Sequence, residues 1–180
     1  MPNKNLSGVK TPKCTIVFIS FGRPKLLLRQ IAFLSNSSLK VIIVDGSTEP
    51  LEINQALESS CGTIQYIHCP GESNYVQRLC LGLSEVKTPF FCLMDDSDII
   101  LPESINIIIE WLEHNPSYCA AGQVYRAIAE SERVVLTKWG HWSDSLKLVN
   151  ESPSLNFAYA LDNIRTANLF YVVTPSRVID

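Results

Sequence analysis

Four short apolar runs, separated by segments of mixed polarity, mark the first half of the chain. Each run is rich in β-branched and aromatic residues and is bounded by turn signals, which predicts a strand buried on both faces. The predicted strands are Cys14–Ser20, Lys40–Asp45, Ile64–His68 and Pro89–Met94.

Apolar residues recur at helical spacing in the segments between and after these strands. Two of the segments begin with proline, which suits the first helical turn because its missing N–H is not needed there. Strands that alternate with helices imply a parallel sheet with right-handed crossovers. The predicted helices are one from Pro24 with the apolar face Leu27, Leu28, Ile31 and Leu34; one over Leu51–Ser59; one capped by Ser73 or Asn74 with the apolar face Val76, Leu79, Cys80, Leu83 and Val86; and one from Pro102 to Asn115 with the apolar face Ile105, Ile108, Ile109 and Leu112.

The pattern changes in the last third of the chain. Ala120–Ala127 and Arg133–Lys138 predict the two strands of a β-hairpin, and Asn168–Val173 predicts a late strand. Pro175 is predicted to begin a helix that stops at Asp180. We therefore expect one α/β domain, with a Rossmann-like, mostly parallel sheet flanked by helices and a β-hairpin in the second half.

Composition narrows the class of protein. With 180 residues, 46% hydrophobic and 18% charged, the chain is long and apolar enough for a globular domain. Its net charge of −3 argues against a nucleic-acid binder that neutralises phosphates. No apolar stretch has the length of a membrane span, and the N-terminus lacks a secretory signal. The six cysteines include no C-x-x-C pair, which argues against a zinc site. They are scattered along the chain and are interpreted as small buried hydrophobes in a reduced compartment, which favours the cytoplasm.

An acidic cluster follows the fourth predicted strand directly, as Asp95-Asp96-Ser97-Asp98. Close carboxylates repel one another and need a partner, and hard oxygen ligands at this density suit Mg²⁺, Mn²⁺ or Ca²⁺ rather than a soft metal. The carboxyl end of a strand is also where α/β sheets bind ligands. The cluster therefore predicts a metal-dependent site for a nucleotide or phosphate ligand. The alternative is a solvated turn in which one Asp caps the next helix.

Three motifs in order resemble the GT-A nucleotide-sugar glycosyltransferases, most closely family 2. Thr15–Pro24 is similar to the family's first strand and turn, and Val44–Thr48 to its second strand end, often Val-Asp-Asp-Gly-Ser. Asp95–Asp98 is similar to its metal-binding DxD region. The resemblance implies a GT-A-like fold, with a nucleotide- and metal-binding half over about 14–122 and a partial acceptor-side half over about 123–180.

The resemblance also implies site residues. Asp45 takes the place of the family's aspartate that accepts a hydrogen bond from the nucleotide base. The acidic cluster aligns in two registers, one counted back from Pro102 and one that treats Asp96-Ser97-Asp98 as the DxD itself. Asp98 is a metal ligand in both registers. The implied residues are Asp45, Ser47, Ser20, Arg23, Asp96 and Ser97 for the nucleotide, and Asp98 with Asp96 for Mn²⁺ or Mg²⁺.

The helix before the acidic strand departs from the family pattern. Family members often carry Ala-Arg-Asn-x-Gly there, whereas this chain has Arg78-Leu-Cys-Leu-Gly82. Because Arg78 is displaced from the family position, we predict that it is a solvated helix residue.

The implied activity is inverting, metal-dependent transfer of a sugar from a UDP-sugar to an unknown glycan, lipid or protein acceptor. An inverting transfer needs a base beside the acceptor hydroxyl, and no convincing candidate precedes Asp180. We therefore expect donor binding with poor transfer. The alternatives are a truncated or degenerate nucleotide-sugar-binding domain and a nucleotidyltransferase.

Overall fold

The computed structural model describes residues 11–52, 63–71, 74–117, 125–130, 133–138 and 172–179. The chain divides into two compact units, the first formed by residues 1–121 and 173–180 and the second by residues 122–172. The elements of the first unit are β1 (Cys14–Ser20), α1 (Pro24–Leu34), β2 (Lys40–Asp45), β3 (Ile64–His68), α2 (Tyr75–Ser84), β4 (Phe90–Met94), α3 (Pro102–His114), β7 (Val173–Pro175) and a 3₁₀ turn (Ser176–Val178); those described in the second are β5 (Tyr125–Glu130) and β6 (Arg133–Lys138).

The first unit is built on a five-stranded sheet in the order β3-β2-β1-β4-β7. Its first four strands are parallel, and β7 pairs antiparallel with β4. Strands β1, β2 and β4 are mostly apolar and almost completely buried, as a sheet covered on both faces requires. This confirms the predicted α/β fold with a mostly parallel sheet.

The carboxyl ends of the parallel strands lie level with one another. Ser20 pairs with Asp45, and Asp45 pairs with His68 across the next strand. On the other side of β1, Phe18 is level with Met94. Because β2 and β4 flank β1 on opposite sides, the loops after β1 and β4 open a crevice at a topological switch point.

The second unit contains the predicted hairpin. Strands β5 and β6 pair antiparallel, with Tyr125 opposite Lys138 and Glu130 opposite Arg133. Residues 120–124, which were predicted to begin the first strand, lie outside the described residues.

Helix α1 begins at Pro24 as predicted, but its buried face differs from the prediction. Leu28 is exposed, whereas Gln30 is buried beside Leu27 and Ile31. The Gln30 amide donates hydrogen bonds to the backbone oxygens of Asp96 (3.0 Å) and Asp98. A polar side chain is buried there because it satisfies carbonyls of the acidic loop.

Helix α2 shows the largest departure from its predicted apolar face. Its cap is as expected, since Asn74 and Gln77 form a reciprocal capping box. However, Val76 is 61% exposed and Cys80 is also exposed, while the helix buries Arg78 and Gly82. The pattern was misleading because the sheet-facing side of this helix is occupied by a glycine and a charged side chain.

Gly82 lets α2 approach the sheet closely. A Cβ atom there would lie 2.7 Å from Val17 Cγ1 and 3.2 Å from Val44 Cγ2. We expect Gly82→Val to lower the free energy of unfolding by about 2–3 kcal/mol, because the branched side chain would overpack against β1 and β2. Urea unfolding measures the change. Cys80→Val places the same side chain on the exposed face and should stay within about 0.5 kcal/mol of wild type. Equal effects would contradict close packing at Gly82.

Three further predictions concern the second predicted helix and the last elements of the chain. Pro175 closes strand β7 and precedes a 3₁₀ turn over Ser176–Val178, so the predicted terminal helix is wrong. The Ser176 N–H donates a hydrogen bond to the backbone oxygen of Pro89 at 2.8 Å, which ties this turn to the start of β4. The predicted helix over Leu51–Ser59 and the predicted late strand over Asn168–Val173 lie mostly outside the described residues.

Within the described part of the chain, every helix is too short or too polar to cross a membrane.

Candidate functional site

Ser20, at the end of the central strand β1, joins the loops that follow β2 and β4. Its backbone oxygen accepts the Gly46 N–H at 3.0 Å. Its buried hydroxyl donates to Asp96 Oδ2 at 2.5 Å. The predicted nucleotide-binding and metal-binding segments therefore meet at one residue.

Asp45 is a buried carboxylate at the end of β2, only 2% exposed. Its Oδ1 accepts the backbone N–H and the hydroxyl of Ser47, at 2.9 and 2.5 Å. Its Oδ2 accepts the hydroxyl of Tyr66 at 2.8 Å. The carboxylate is thus held in one orientation by neutral donors from its own loop and from β3.

Ser47 also ties this loop to the turn after β1. Its Oγ accepts the Gly22 N–H at 2.8 Å while donating to Asp45. Gly22 has a φ of +67°, a left-handed conformation that glycine adopts without steric cost. The Ser47 hydroxyl therefore fixes Asp45 and the turn together.

Tyr66 and His68, on one face of β3, hold the loop that follows Asp45. The Tyr66 hydroxyl accepts the Leu51 N–H at 2.9 Å, and His68 Nε2 lies 2.7 Å from the Ser47 carbonyl oxygen. Since a carbonyl can only accept, Nε2 is the protonated ring nitrogen. The two rings stack nearly parallel, with centroids 6.5 Å apart. Burial, followed by the nearby Asp45 carboxylate, raises the pKa of Tyr66 to about 12, although the Leu51 N–H opposes the shift. Tyr66 therefore remains a hydrogen-bond donor at neutral pH.

A cavity of about 260 Å³ opens beside Asp45. It lies between the turn after β1 and the loop after β2, and it exposes mainly apolar surface. Its lining residues are Gly22, Pro24, Asp45, Ser47, Glu49, Pro50 and Leu51.

Arg23 bridges two carboxylates of the acidic loop. Its Nη1 lies 3.1 Å from Asp95 Oδ1 and 2.8 Å from Asp96 Oδ1. Asp96 is 1% exposed, whereas the side chains of Arg23 and Asp95 are about half exposed. The hydrogen bond and charge of Asp96 raise the pKa of Arg23. For Asp95, burial opposes ionisation, but hydrogen bonds from Ser97 and the charge of Arg23 outweigh it and lower the pKa.

The backbone of the acidic loop is held from α1. Arg29 Nη2 donates to the carbonyl oxygens of Asp96 (3.1 Å) and Ser97 (2.7 Å), alongside the bonds from Gln30. The next helix, α3, has Leu101 at its N-cap and no side-chain capping bond. The alternative interpretation of the cluster as an aspartate helix cap is therefore wrong.

Ser97 and Asp98 complete the loop. The backbone N–H and hydroxyl of Ser97 donate to Asp95 Oδ1 at 3.0 and 2.9 Å, and Ser97 is exposed. Asp98 donates its N–H to the Asp95 carbonyl oxygen at 3.3 Å, and the residue is half-buried. Among the described residues, no three His, Cys, Asp or Glu side chains form a ready-made metal cage.

A family model and several solved structures match this chain. The model for glycosyl transferase family 2 matches residues 15–174. The chain belongs to glycosyl transferase family 2. No curated protein sequence matches it.

The family 2 domain also resembles solved structures. The mannosyltransferase PcManGT from Pyrobaculum calidifontis, in complex with GDP-Man and Mn²⁺, is 14% identical with a TM-score of 0.50, and the match covers 64% of this chain and 36% of that one. TarS from S. aureus is 16% identical with a TM-score of 0.48, covering 59% and 20%. TarS 1–349 in complex with UDP is 16% identical with a TM-score of 0.48, covering 66% and 38%. The chain thus spans well under half the length of each, and at these identities the likeness concerns the fold alone.

Arg78 is a residue of this family 2 domain that sequence reasoning placed wrongly. It is 9% exposed rather than solvated, and its guanidinium lies 5.6 Å from the centre of the Phe21 ring. A Cβ at Gly46 would lie 2.6 Å from Arg78 Nη1, so the glycine makes room for the arginine. One signal could have revealed this: Arg78 lies four residues before Gly82, on the same helix face.

Proposed function

We propose that this family 2 domain binds a nucleoside-diphosphate sugar at the carboxyl edge of its sheet and transfers the sugar to an acceptor hydroxyl. The observation that carries the proposal is the double role of Ser20, which bonds the Asp45 loop through Gly46 and the acidic loop through Asp96. A base pocket and a diphosphate site must adjoin in this way to hold one nucleotide. Membership in glycosyl transferase family 2 supports the same assignment.

The base is proposed to enter the cavity beside Asp45. That cavity is mainly apolar, with the acidic residues Asp45 and Glu49 in its lining, which suits a flat heterocycle that presents an N–H group. Uracil presents such an imide N–H, so we propose UDP as the nucleotide. Ser47 would then act by orienting Asp45 and the Gly22 turn.

The diphosphate is proposed to lie against the acidic loop. Asp96 already accepts hydrogen bonds on both oxygens, from Ser20 and Arg23, which suits an anchor of the loop. We propose Asp98 as the protein ligand of Mn²⁺ or Mg²⁺, because the loop supplies the hard oxygen donors these ions prefer. A bound divalent ion would neutralise charge on the leaving diphosphate. Arg23 and Ser97 are proposed to contact the phosphates and the ribose.

The proposed reaction is an inverting displacement at the anomeric carbon. The acceptor oxygen forms the new bond on the face opposite the diphosphate, and the bond from carbon to diphosphate oxygen breaks. The acceptor proton passes to a general base. A glycan, a lipid and a protein are all acceptors compatible with this chemistry.

Asp45→Asn should weaken UDP binding by about 10- to 100-fold, since a hydrogen bond to a carboxylate is worth about 1.5–3 kcal/mol. Isothermal titration calorimetry measures the affinity, and thermal unfolding verifies the fold. Glu52→Gln makes the same chemical change at a nearby exposed acid outside the cavity lining and should leave the affinity unchanged. An unchanged affinity in Asp45→Asn would make Asp45 a structural turn residue.

Release of UDP from UDP-sugars, in the presence of Mn²⁺ and a panel of acceptors, tests the transfer itself. Turnover that depends on an acceptor supports the proposal, and slow release to water is its minimum expectation. A non-catalytic nucleotide-sugar-binding domain is the second candidate, favoured by the way Arg23 already neutralises Asp95 and Asp96. Tight UDP-sugar binding without any UDP release would select that candidate.

A further inference from the structure

We infer that Tyr66 is a positioning residue that sets base selectivity, by reserving one acceptor position on Asp45 and leaving a single one for the nucleotide. The inference rests on the proposed function, since it assumes that the base meets Asp45. It adds a residue on a neighbouring strand that lies outside the lining of the cavity.

The acceptor capacity of Asp45 is nearly filled. A carboxylate offers about four lone-pair positions, two on each oxygen. Oδ1 accepts two hydrogen bonds, both from Ser47. Oδ2 accepts one, from Tyr66. Counting the donors among the described residues, one position on Oδ2 remains.

Tyr66 is held in its donating role. Its hydroxyl oxygen accepts the Leu51 N–H, so the O–H is directed towards Asp45. Its ring stacks on His68, which is itself bonded to the Ser47 carbonyl. The same two β3 side chains thus fix the carboxylate and the loop that surrounds it.

One remaining acceptor position distinguishes the nucleobases by chemistry. Uracil presents a single N–H between two carbonyls, which one lone pair satisfies. Guanine presents a ring N–H beside an amino group, and these two donors need two acceptor positions where only one remains. Cytosine presents a ring nitrogen that carries no proton, so two hydrogen-bond acceptors would face each other at the carboxylate. A buried polar group left without its partner weakens binding.

Calorimetric titrations of wild type and Tyr66→Phe with UDP, GDP and CDP test the inference. Wild type should bind UDP at least about 10-fold more tightly than GDP or CDP. Tyr66→Phe frees a second lone pair on Oδ2 and loosens the carboxylate. UDP affinity should fall by about 3- to 10-fold, and the ratio of UDP to GDP affinity should fall by at least about 5-fold.

The ratio separates selectivity from mere support of the loop. If Tyr66 only stabilised the loop, both affinities would fall in proportion and the ratio would stay constant, which would overturn the inference while the proposed function stands. Equal wild-type affinities for UDP and GDP would overturn it in the same way. Wild type that binds none of the three nucleotides would overturn the proposed function with it. Thermal unfolding in parallel verifies that Tyr66→Phe is folded.

Discussion

Asp96→Ala is expected to lower the free energy of unfolding by about 2–4 kcal/mol, measured by urea unfolding. The carboxylate is almost fully buried and links the ends of β1 and β4 through the Ser20 hydroxyl. Its removal leaves that buried hydroxyl without its acceptor and opens a space between the two loops. Arg23 is half exposed and can turn to solvent, so the loss of its ion pair with Asp96 adds little to the fall in stability.

Asp95→Ala is the matched control, one residue earlier in the same loop. Its side chain is 44% exposed and also contacts Arg23, so its loss should lower stability by less than about 1 kcal/mol. Similar losses in the two variants would show that Asp96 does not anchor the loop. Asp96→Asn keeps the shape of the side chain, so its free energy of unfolding should lie between those of wild type and Asp96→Ala.

Asp98→Ala is expected to lower UDP release by about 10²- to 10³-fold. Neutralisation of a leaving diphosphate is worth several kcal/mol in the transition state, and we propose Asp98 as the protein ligand of an ion that would provide it. The strengthening of UDP binding by Mn²⁺ should disappear in the same variant. Calorimetry with and without Mn²⁺ measures this second effect independently of turnover.

Glu103→Ala removes an exposed acid five residues further on, in the first turn of α3, and serves as the control. It should retain both turnover and the Mn²⁺ effect. If Asp98→Ala retained them too, the metal assignment would have to move to another residue of the loop.

The arrangement of the sheet could be predicted because it depends on local patterns. Strands β1, β2 and β4 are nearly continuous apolar runs. Pro24 and Pro102 mark helix starts by their backbone chemistry, and Asn74 marks one by its capping side chain. The position of the acidic cluster after β4 then placed it at the ligand-binding edge of the sheet.

The errors occurred where a polar side chain is buried by a partner distant in the sequence. Gln30 is buried because carbonyls of residues 96 and 98 accept its amide. Arg78 is buried because a glycine at position 46 leaves room for it. Helical periodicity predicts that such polar residues are solvated, because the pattern of one helix contains no information about residues elsewhere in the chain.

The acidic residues of the candidate site could be predicted from the sequence, but the contacts that join them could not. The sequence identified Asp45 and the 95–98 cluster, but it gave no sign that Arg23 would join two of the carboxylates. Nor did it link Tyr66 to Asp45, because the register of β3 beside β2 places Tyr66 there and no sequence motif marks it.

A crystal structure of this chain with UDP and Mn²⁺ tests the central claim most directly. We predict the uracil N3 within about 3 Å of Asp45 Oδ2, and anomalous density for Mn²⁺ between the diphosphate and Asp98. A nucleotide bound away from the Asp45 cavity, or Mn²⁺ bound without contact to the 95–98 loop, would contradict the account.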